Sequence, residues 1–197
     1  MDTSALSYIG FAIAASITPG PNNALIAASA ANHGVRRALP HVLGIGLGFA
    51  AMLGLVAIGL TGSLAAHPRI YTALRLVAVA WLLVLAWQIA RTGAPGRGPA
   101  RPPLGFFGAA LFQWVNPKAW LLAFAAATTW TDPTQPLAPQ VVWLAGVFGL
   151  VCVPCALFWA LLGSGASRLL VSTARLRAFN IGMGVLLVAS VLPALWE

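Results

Sequence analysis

Two apolar segments of this chain are each interrupted by proline. The first break, at residues 18–23, reads Thr-Pro-Gly-Pro-Asn-Asn, and the second, at residues 116–118, reads Asn-Pro-Lys. A helix that crosses a bilayer must satisfy its own backbone hydrogen bonds, because no water is available there. Proline removes one donor and clashes with the preceding turn. Matched breaks in the two halves of a membrane chain are typical of transporters that bind their substrate near the middle of the bilayer.

The composition supports a membrane protein. The chain is 60% hydrophobic and 7% charged, whereas an ordinary soluble domain has roughly 45–50% apolar and about 25% charged residues. Six apolar stretches are each close to or above the ~20 residues that a hydrocarbon core requires. They cover residues 4–30, 39–61, 69–90, 105–129, 137–162 and 178–196. The sequence therefore predicts six transmembrane helices, with the first and the fourth broken.

The charges in the loops predict the orientation. The loops at 31–38, 91–104 and 163–177 carry most of the arginines and lie on one side if all six stretches span. Basic loops are cytoplasmic as a rule, so both termini are predicted outside. The net charge of +8 follows from this topology, and no nucleic-acid partner is expected.

Counting the spans predicts an inverted repeat. Three spans per half is an odd number, so the second half enters the membrane in the opposite sense to the first. We therefore expect an all-α integral membrane protein of one domain, residues 1–197. Its parts are a first repeat at about 4–90, a linker at 91–104 and a second repeat at 105–196.

The breaks have the chemistry of a binding site for a zwitterion. Pro21 and Pro117 suit the first position of a new half-helix, where a missing N–H costs nothing, and Asn116 is a good N-cap. The N–H groups that begin a helix attract anions. The carbonyls of residues 15–18 and 112–115 are expected to be free to accept an ammonium group. An amino acid matches both features.

Polar side chains at the breaks complete the predicted site. Lys118 is the only ionisable residue deep within a predicted span, and such a charge indicates function; the alternative is a lysine that reaches an interface. Gln113 could instead bond a neighbouring helix. The predicted substrate-binding residues are Pro19, Gly20, Pro21, Asn22, Asn23, Gln113, Asn116, Pro117 and Lys118.

Enzymatic chemistry is not expected. The chain has three acidic residues, none inside a predicted span, so paired carboxylates and carboxylate-rich metal sites are excluded. No nucleotide-binding loop is present, so no cofactor is predicted and a gradient would power transport. Cys152 and Cys155 have the spacing of a redox motif but share one apolar span, where two buried thiols are the simpler interpretation.

Specific motifs resemble the LysE/RhtB amino-acid exporters. They are Ile-Thr-Pro-Gly-Pro-Asn-Asn at 17–23, Ser29 and Asn-His-Gly at 32–34, the glycine-rich 44–49, and Leu-Phe-Gln-Trp-Val-Asn-Pro-Lys at 111–118. The resemblance covers the whole chain. It implies a six-helix inner-membrane protein that exports amino acids or their derivatives by proton antiport. The stretches at 29–34 and 47–49 look most like cysteine/O-acetylserine exporters.

One departure from that family affects the expected substrate. Many members carry an acidic residue about where Phe49 stands here, whereas this chain has no carboxylate in any span. A carboxylate proton relay and a cationic substrate are therefore disfavoured. We expect export of neutral or small polar amino acids, such as cysteine/O-acetylserine or threonine/homoserine. The expected partners are the substrate and the lipid bilayer, and a homodimer is plausible for so small a carrier.

Two alternatives from other classes stay open on the sequence. A transmembrane thiol–disulfide electron carrier shares a similar helical plan but needs a cysteine near each break, and neither break has one. A non-transporting membrane scaffold would not need its polar residues at mid-depth.

Overall fold

The described residues of the protein are helical wherever they have regular secondary structure. This computed structural model describes residues 3–60, scattered positions from 76 to 91, and residues 103–132, 134–169 and 173–191. The helices with defined bounds are α1 Thr3–Ile17, α2 Pro21–His33, α3 Val35–Leu55, α4 Phe106–Phe112, α5 Pro117–Trp130, α6 Leu137–Leu169 and α7 Thr173–Val191.

Both predicted breaks are present. The first apolar stretch is two helices, since α1 ends at Ile17 and α2 begins at Pro21. The second break lies in the fourth apolar stretch. There α4 is followed by a 3₁₀ turn at Gln113–Val115, Asn116 is extended, and α5 begins at Pro117. Each new helix therefore starts with proline at its first position, where the absent N–H leaves no helical hydrogen bond unmade.

Two predicted loops are wrong. Gly34 is the only residue between α2 and α3, and its φ of +83° makes the turn, so the rest of the expected loop at 31–38 is helical. The expected loop at 163–177 is also mostly helical, because α6 continues to Leu169 and α7 begins at Thr173. Long basic side chains at helix ends can extend toward polar surroundings, so arginine does not require a loop.

Parts of the prediction lie outside the described residues. The third apolar stretch is helical at each position described between 76 and 91. Residues 61–75, nearly all of the 91–104 linker and residues 192–196 of the last stretch are not described.

Glycine lets the two longest helices, α3 and α6, approach closely. A Cβ atom built on Gly46 would lie 2.9 Å from the carbonyl oxygen of Gly149, and one built on Gly149 would lie 3.0 Å from that of Gly46. Gly44 and Gly48 face α4, where added Cβ atoms would meet Phe106 and Ala110. The glycine-rich segment 44–49 thus packs within the chain, as small residues do between membrane helices.

The distribution of polarity is that of a membrane protein. Leu47, Phe107 and Leu150 are 60–78% exposed, whereas buried polar side chains include Asn23, His41, Gln113, Asn116 and Asn180. Among the described residues, two helices are long and apolar enough to cross a bilayer, at Val35–Gly59 and Leu137–Ala166. Shorter apolar helices, Ala5–Ile17 and Phe106–Val115, precede or enter the two breaks.

Candidate functional site

Lys118 joins the second break to the first. It is the second residue of α5, and its ammonium nitrogen Nζ reaches the segment between α1 and α2. There Nζ donates to the carbonyl oxygen of Thr18 (3.0 Å), to Thr18 Oγ1 (2.9 Å) and to the carbonyl oxygen of Pro19 (3.2 Å). The two breaks, about a hundred residues apart in sequence, are therefore in direct contact through the Lys118 side chain.

A pair of amides makes a second link between the breaks. Asn22 Nδ2 donates to Gln113 Oε1 (2.8 Å), and Gln113 Nε2 donates back to Asn22 Oδ1 (3.2 Å). Gln113 Nε2 also donates to the carbonyl oxygen of Ala109 (2.9 Å). Because Gln113 is fully buried, this pair fixes the start of α2 against the end of α4.

The carbonyls at the end of α1 are not free, which corrects the prediction. Asn23 Nδ2 donates to the carbonyls of Ser16 (2.9 Å) and Thr18 (2.7 Å). Trp159 Nε1, from α6, donates to the carbonyl of Ile17 (3.0 Å), and Thr18 Oγ1 donates to that of Ala15 (3.0 Å). The chain's own donors, including an ammonium group, occupy the positions expected for a ligand ammonium.

Two of the four carbonyls expected to be free before the second break are occupied as well. The carbonyl of Gln113 accepts from the backbone N–H of Asn116 (3.2 Å), and that of Trp114 accepts from Trp120 Nε1 (2.9 Å). These bonds replace part of the helical ladder that Pro117 interrupts.

The two half-helices begin differently. Asn116 caps α5, as predicted, because its Oδ1 accepts from the backbone N–H of Lys118 (3.1 Å). Gly20 precedes α2 and supplies no side-chain cap. The N–H groups that follow Pro21 therefore lack a capping side chain at the point where the positive end of the α2 dipole lies.

A small cavity lies between the breaks. Its volume is about 40 Å³, below the ~300 Å³ of ordinary ligand pockets, so an amino acid would require a wider conformation. The lining residues are Ala15, Ser16, Gly20, Pro21, Asn22, Asn23, Ile45, Phe49, Asn116, Lys118, Ala119, Leu122, Phe148, Cys152 and Ala156. The polar lining residues thus come mainly from the two breaks, and the remaining lining residues are mostly apolar.

Most of the large apolar side chains in the lining come from α3 and α6. The rings of Phe49 and Phe148 are 4.4 Å apart between centroids. Cys152 Sγ lies 3.5 Å from Ser16 Oγ, and both cysteines are free thiols. The cavity therefore pairs the polar breaks with aromatic rings and one thiol.

Most predicted site residues come together here. Six of them line the cavity, namely Gly20, Pro21, Asn22, Asn23, Asn116 and Lys118. Of the others, Gln113 lies behind Asn22, Pro19 contributes a carbonyl to Lys118, and Pro117 starts α5 without lining the cavity.

Sequence reasoning missed several residues at the site. Ser16, Phe148 and Cys152 line the cavity, and Trp159 bonds the first break from outside it. Phe49 was noticed only as a departure from the family. Within the part of the chain that the structure describes, no three His, Cys, Asp or Glu side chains are grouped as metal ligands.

Broken helices that meet around a polar cavity in an apolar helical bundle are the features of a membrane transporter. Comparison with known proteins agrees. A family model described as LysE type translocator matches residues 13–192. The chain belongs to this family, and it is therefore a multi-pass membrane protein.

Relatives within the family carry a more specific name. A cysteine/O-acetylserine efflux protein of Klebsiella pneumoniae is 34% identical over 83% of each chain. Proteins with the same name from Salmonella typhimurium and Escherichia coli K12 are 36% and 35% identical, over 78% and 90% of each chain. The resemblance predicted from the motifs is thus confirmed. No solved structure matches the chain.

Proposed function

We propose that this protein exports neutral or small polar amino acids, or their derivatives, across the cytoplasmic membrane. One observation carries the proposal: two helix breaks from the two halves of the chain meet around one cavity, which is lined by Lys118 and by the first residues of α2, a helix start without a side-chain cap. The names of the relatives favour cysteine and O-acetylserine as substrates.

The nine predicted residues have distinct roles in this proposal. The N–H groups after Pro21, together with Lys118, bind the substrate carboxylate, since a helix N-terminus and a cation both attract an anion. The carbonyls of Thr18 and Pro19 accept from the substrate ammonium. Asn22, Asn23, Gln113, Asn116, Gly20 and Pro117 hold the two breaks in place around it.

The apolar part of the lining supports selection of a neutral side chain. Phe49 and Phe148 line the cavity, and the lining residues include no carboxylate. A cationic side chain would lose its hydration there without gaining a counter-charge, which is costly. Lysine and arginine are therefore expected to be poor substrates.

The transport cycle is alternating access around the two breaks. We infer six spans in two inverted repeats, both termini outside and the basic loops in the cytoplasm. Support comes from the proline that opens a half-helix in each half. The small cavity then represents a narrow state that widens to admit substrate, and proton antiport would drive export.

Efflux from proteoliposomes tests the proposal. Vesicles containing the purified protein are loaded with radiolabelled O-acetylserine, cysteine, threonine, homoserine or lysine, and protein-free vesicles are the control. We expect at least one neutral substrate to leave faster than from the control, lysine to remain, and efflux to accelerate when the outside is acidic. Absence of efflux for the whole panel, with protein correctly inserted, would reject the function. Efflux that ignores the proton gradient would reject only the coupling.

A further inference from the structure

The contacts of Lys118 match those that an ammonium group would make. Thr18 Oγ1 uses its own proton on the carbonyl of Ala15, so toward Lys118 it acts as an acceptor. Nζ thus faces three acceptors within 3.2 Å, the third being the carbonyl of Pro19. An ammonium group has three donors, whereas a neutral amine has two. The arrangement fits a charged amine, and it is the arrangement that a substrate ammonium would need.

We propose that Lys118 is a tethered substitute for the substrate ammonium, occupying its place whenever the carrier is empty. This inference rests on the proposed function. When substrate binds, its ammonium displaces Nζ from Thr18 and Pro19, and the released Nζ pairs with the substrate carboxylate. When substrate leaves, Nζ returns to the break. The chain contains one lysine, so no second lysine can take over the role.

A physical requirement explains why an empty exporter needs such a substitute. Carbonyl groups without donors are costly in a membrane, and the Thr18 and Pro19 carbonyls lie at a break that has lost part of its helical hydrogen bonding. Asn23 also donates to the carbonyl of Thr18, whereas Lys118 donates to that of Pro19. An empty carrier that lacks Lys118 would have to change conformation without this donor to the Pro19 carbonyl.

Gly20 provides an independent indication that this contact is built into the fold. A Cβ atom at Gly20 would lie 2.9 Å from Lys118 Cδ and 3.1 Å from Nζ. The φ of Gly20 is 178°, an extended conformation open to any residue, so backbone geometry does not require glycine. A methyl group at this position would press on the lysine stem, which would have to shift to make room.

The role predicts a difference between two modes of transport. Net efflux requires the empty carrier to return, whereas exchange of inner for outer substrate returns the carrier loaded. Loss of Lys118 should therefore impair net efflux more than exchange. A residue needed only to bind substrate would impair both equally, because both modes use the loaded site.

The test measures both modes at saturating substrate in proteoliposomes. Lys118→Met should raise the ratio of exchange rate to net efflux rate by about tenfold or more, the size expected for losing charge-assisted hydrogen bonds. Gly20→Ala, which leaves the lysine in place but crowds it, should raise the same ratio by a smaller factor. Gly10→Ala is the matched control, because a Cβ there meets nothing within 4 Å, and its ratio should equal the wild-type ratio.

Two outcomes would overturn the role. Equal loss of both modes in folded Lys118→Met protein would make Lys118 a binding residue alone, and an unchanged ratio with normal efflux would leave it without a role in the cycle. Wild-type protein that shows neither mode would instead reject the proposed function itself, and this role with it.

Discussion

The amide pair of Asn22 and Gln113 should link the two halves of the molecule energetically. Two hydrogen bonds of 2.8 and 3.2 Å join these side chains, and Gln113 is fully buried. Asn22→Ala removes the amide group that donates to Gln113 Oε1. Gln113→Ala removes both bonds and the contact with Ala109 as well. A double-mutant cycle with both substitutions isolates the interaction between the two side chains.

The expected magnitudes follow from the burial. Removing one partner of a buried polar group costs about 1–3 kcal/mol, so each single substitution should destabilise the protein by that amount. Hydrogen bonds between membrane helices average about 0.6 kcal/mol in such cycles. Two of them give a coupling of about 1 kcal/mol, which corresponds to roughly 2–4 °C in the melting temperature of a chain of this size.

Thermal unfolding in detergent measures this coupling. The wild type, both single variants and the double variant are compared. Asn32→Ala combined with Gln113→Ala is the matched control, since Asn32 is ten residues further along α2, about 15 Å away. The control pair should be additive within about 0.5 kcal/mol. If the Asn22 and Gln113 effects are equally additive, the amide pair does not hold the breaks together.

Four further substitutions test the packing of the helices. In the melting assay, Gly46→Ala should lower stability by about 1–3 kcal/mol, because its Cβ would press on Gly149. Gly54→Ala is the control and should be near neutral, because a Cβ there would lie 3.7 Å from its nearest neighbour. Tyr8→Phe removes a 2.7 Å hydrogen bond to a carbonyl of α6 and should cost about 0.5–1.5 kcal/mol; an unchanged melting temperature would contradict this. Phe49→Ala should cost about 3–5 kcal/mol and raise the efflux of larger neutral amino acids relative to smaller ones, and an unaltered preference would remove Phe49 from the site.

The sequence predicted those features that depend on local chemistry. Proline cannot continue a helix, so the breaks before Pro21 and Pro117 and the cap at Asn116 follow from neighbouring residues alone. Helix ends were less predictable. The arginines at 36 and 37 suggested a loop, yet they lie in the first turn of α3.

Features that depend on packing between distant helices could not be predicted. Trp159 and Lys118 satisfy carbonyls of the first break from positions 142 and 100 residues away, and no local rule identifies such donors. Likewise, Cys152 and Phe148 line the cavity because α6 packs against α3, and this packing depends on contacts between distant parts of the chain. His41 is buried, and neither of its ring nitrogens has a hydrogen-bond partner.

Alkylation of Cys152 tests the central claim, that the cavity between the breaks binds the amino acid. Cys152 lines that cavity, and Cys155→Ser leaves it as the chain's sole thiol. A membrane-permeant maleimide should label it slowly. Saturating O-acetylserine, which has no thiol to consume the reagent, should slow the labelling further, whereas lysine should not. A labelling rate that stays the same in the presence of a transported amino acid would contradict the account.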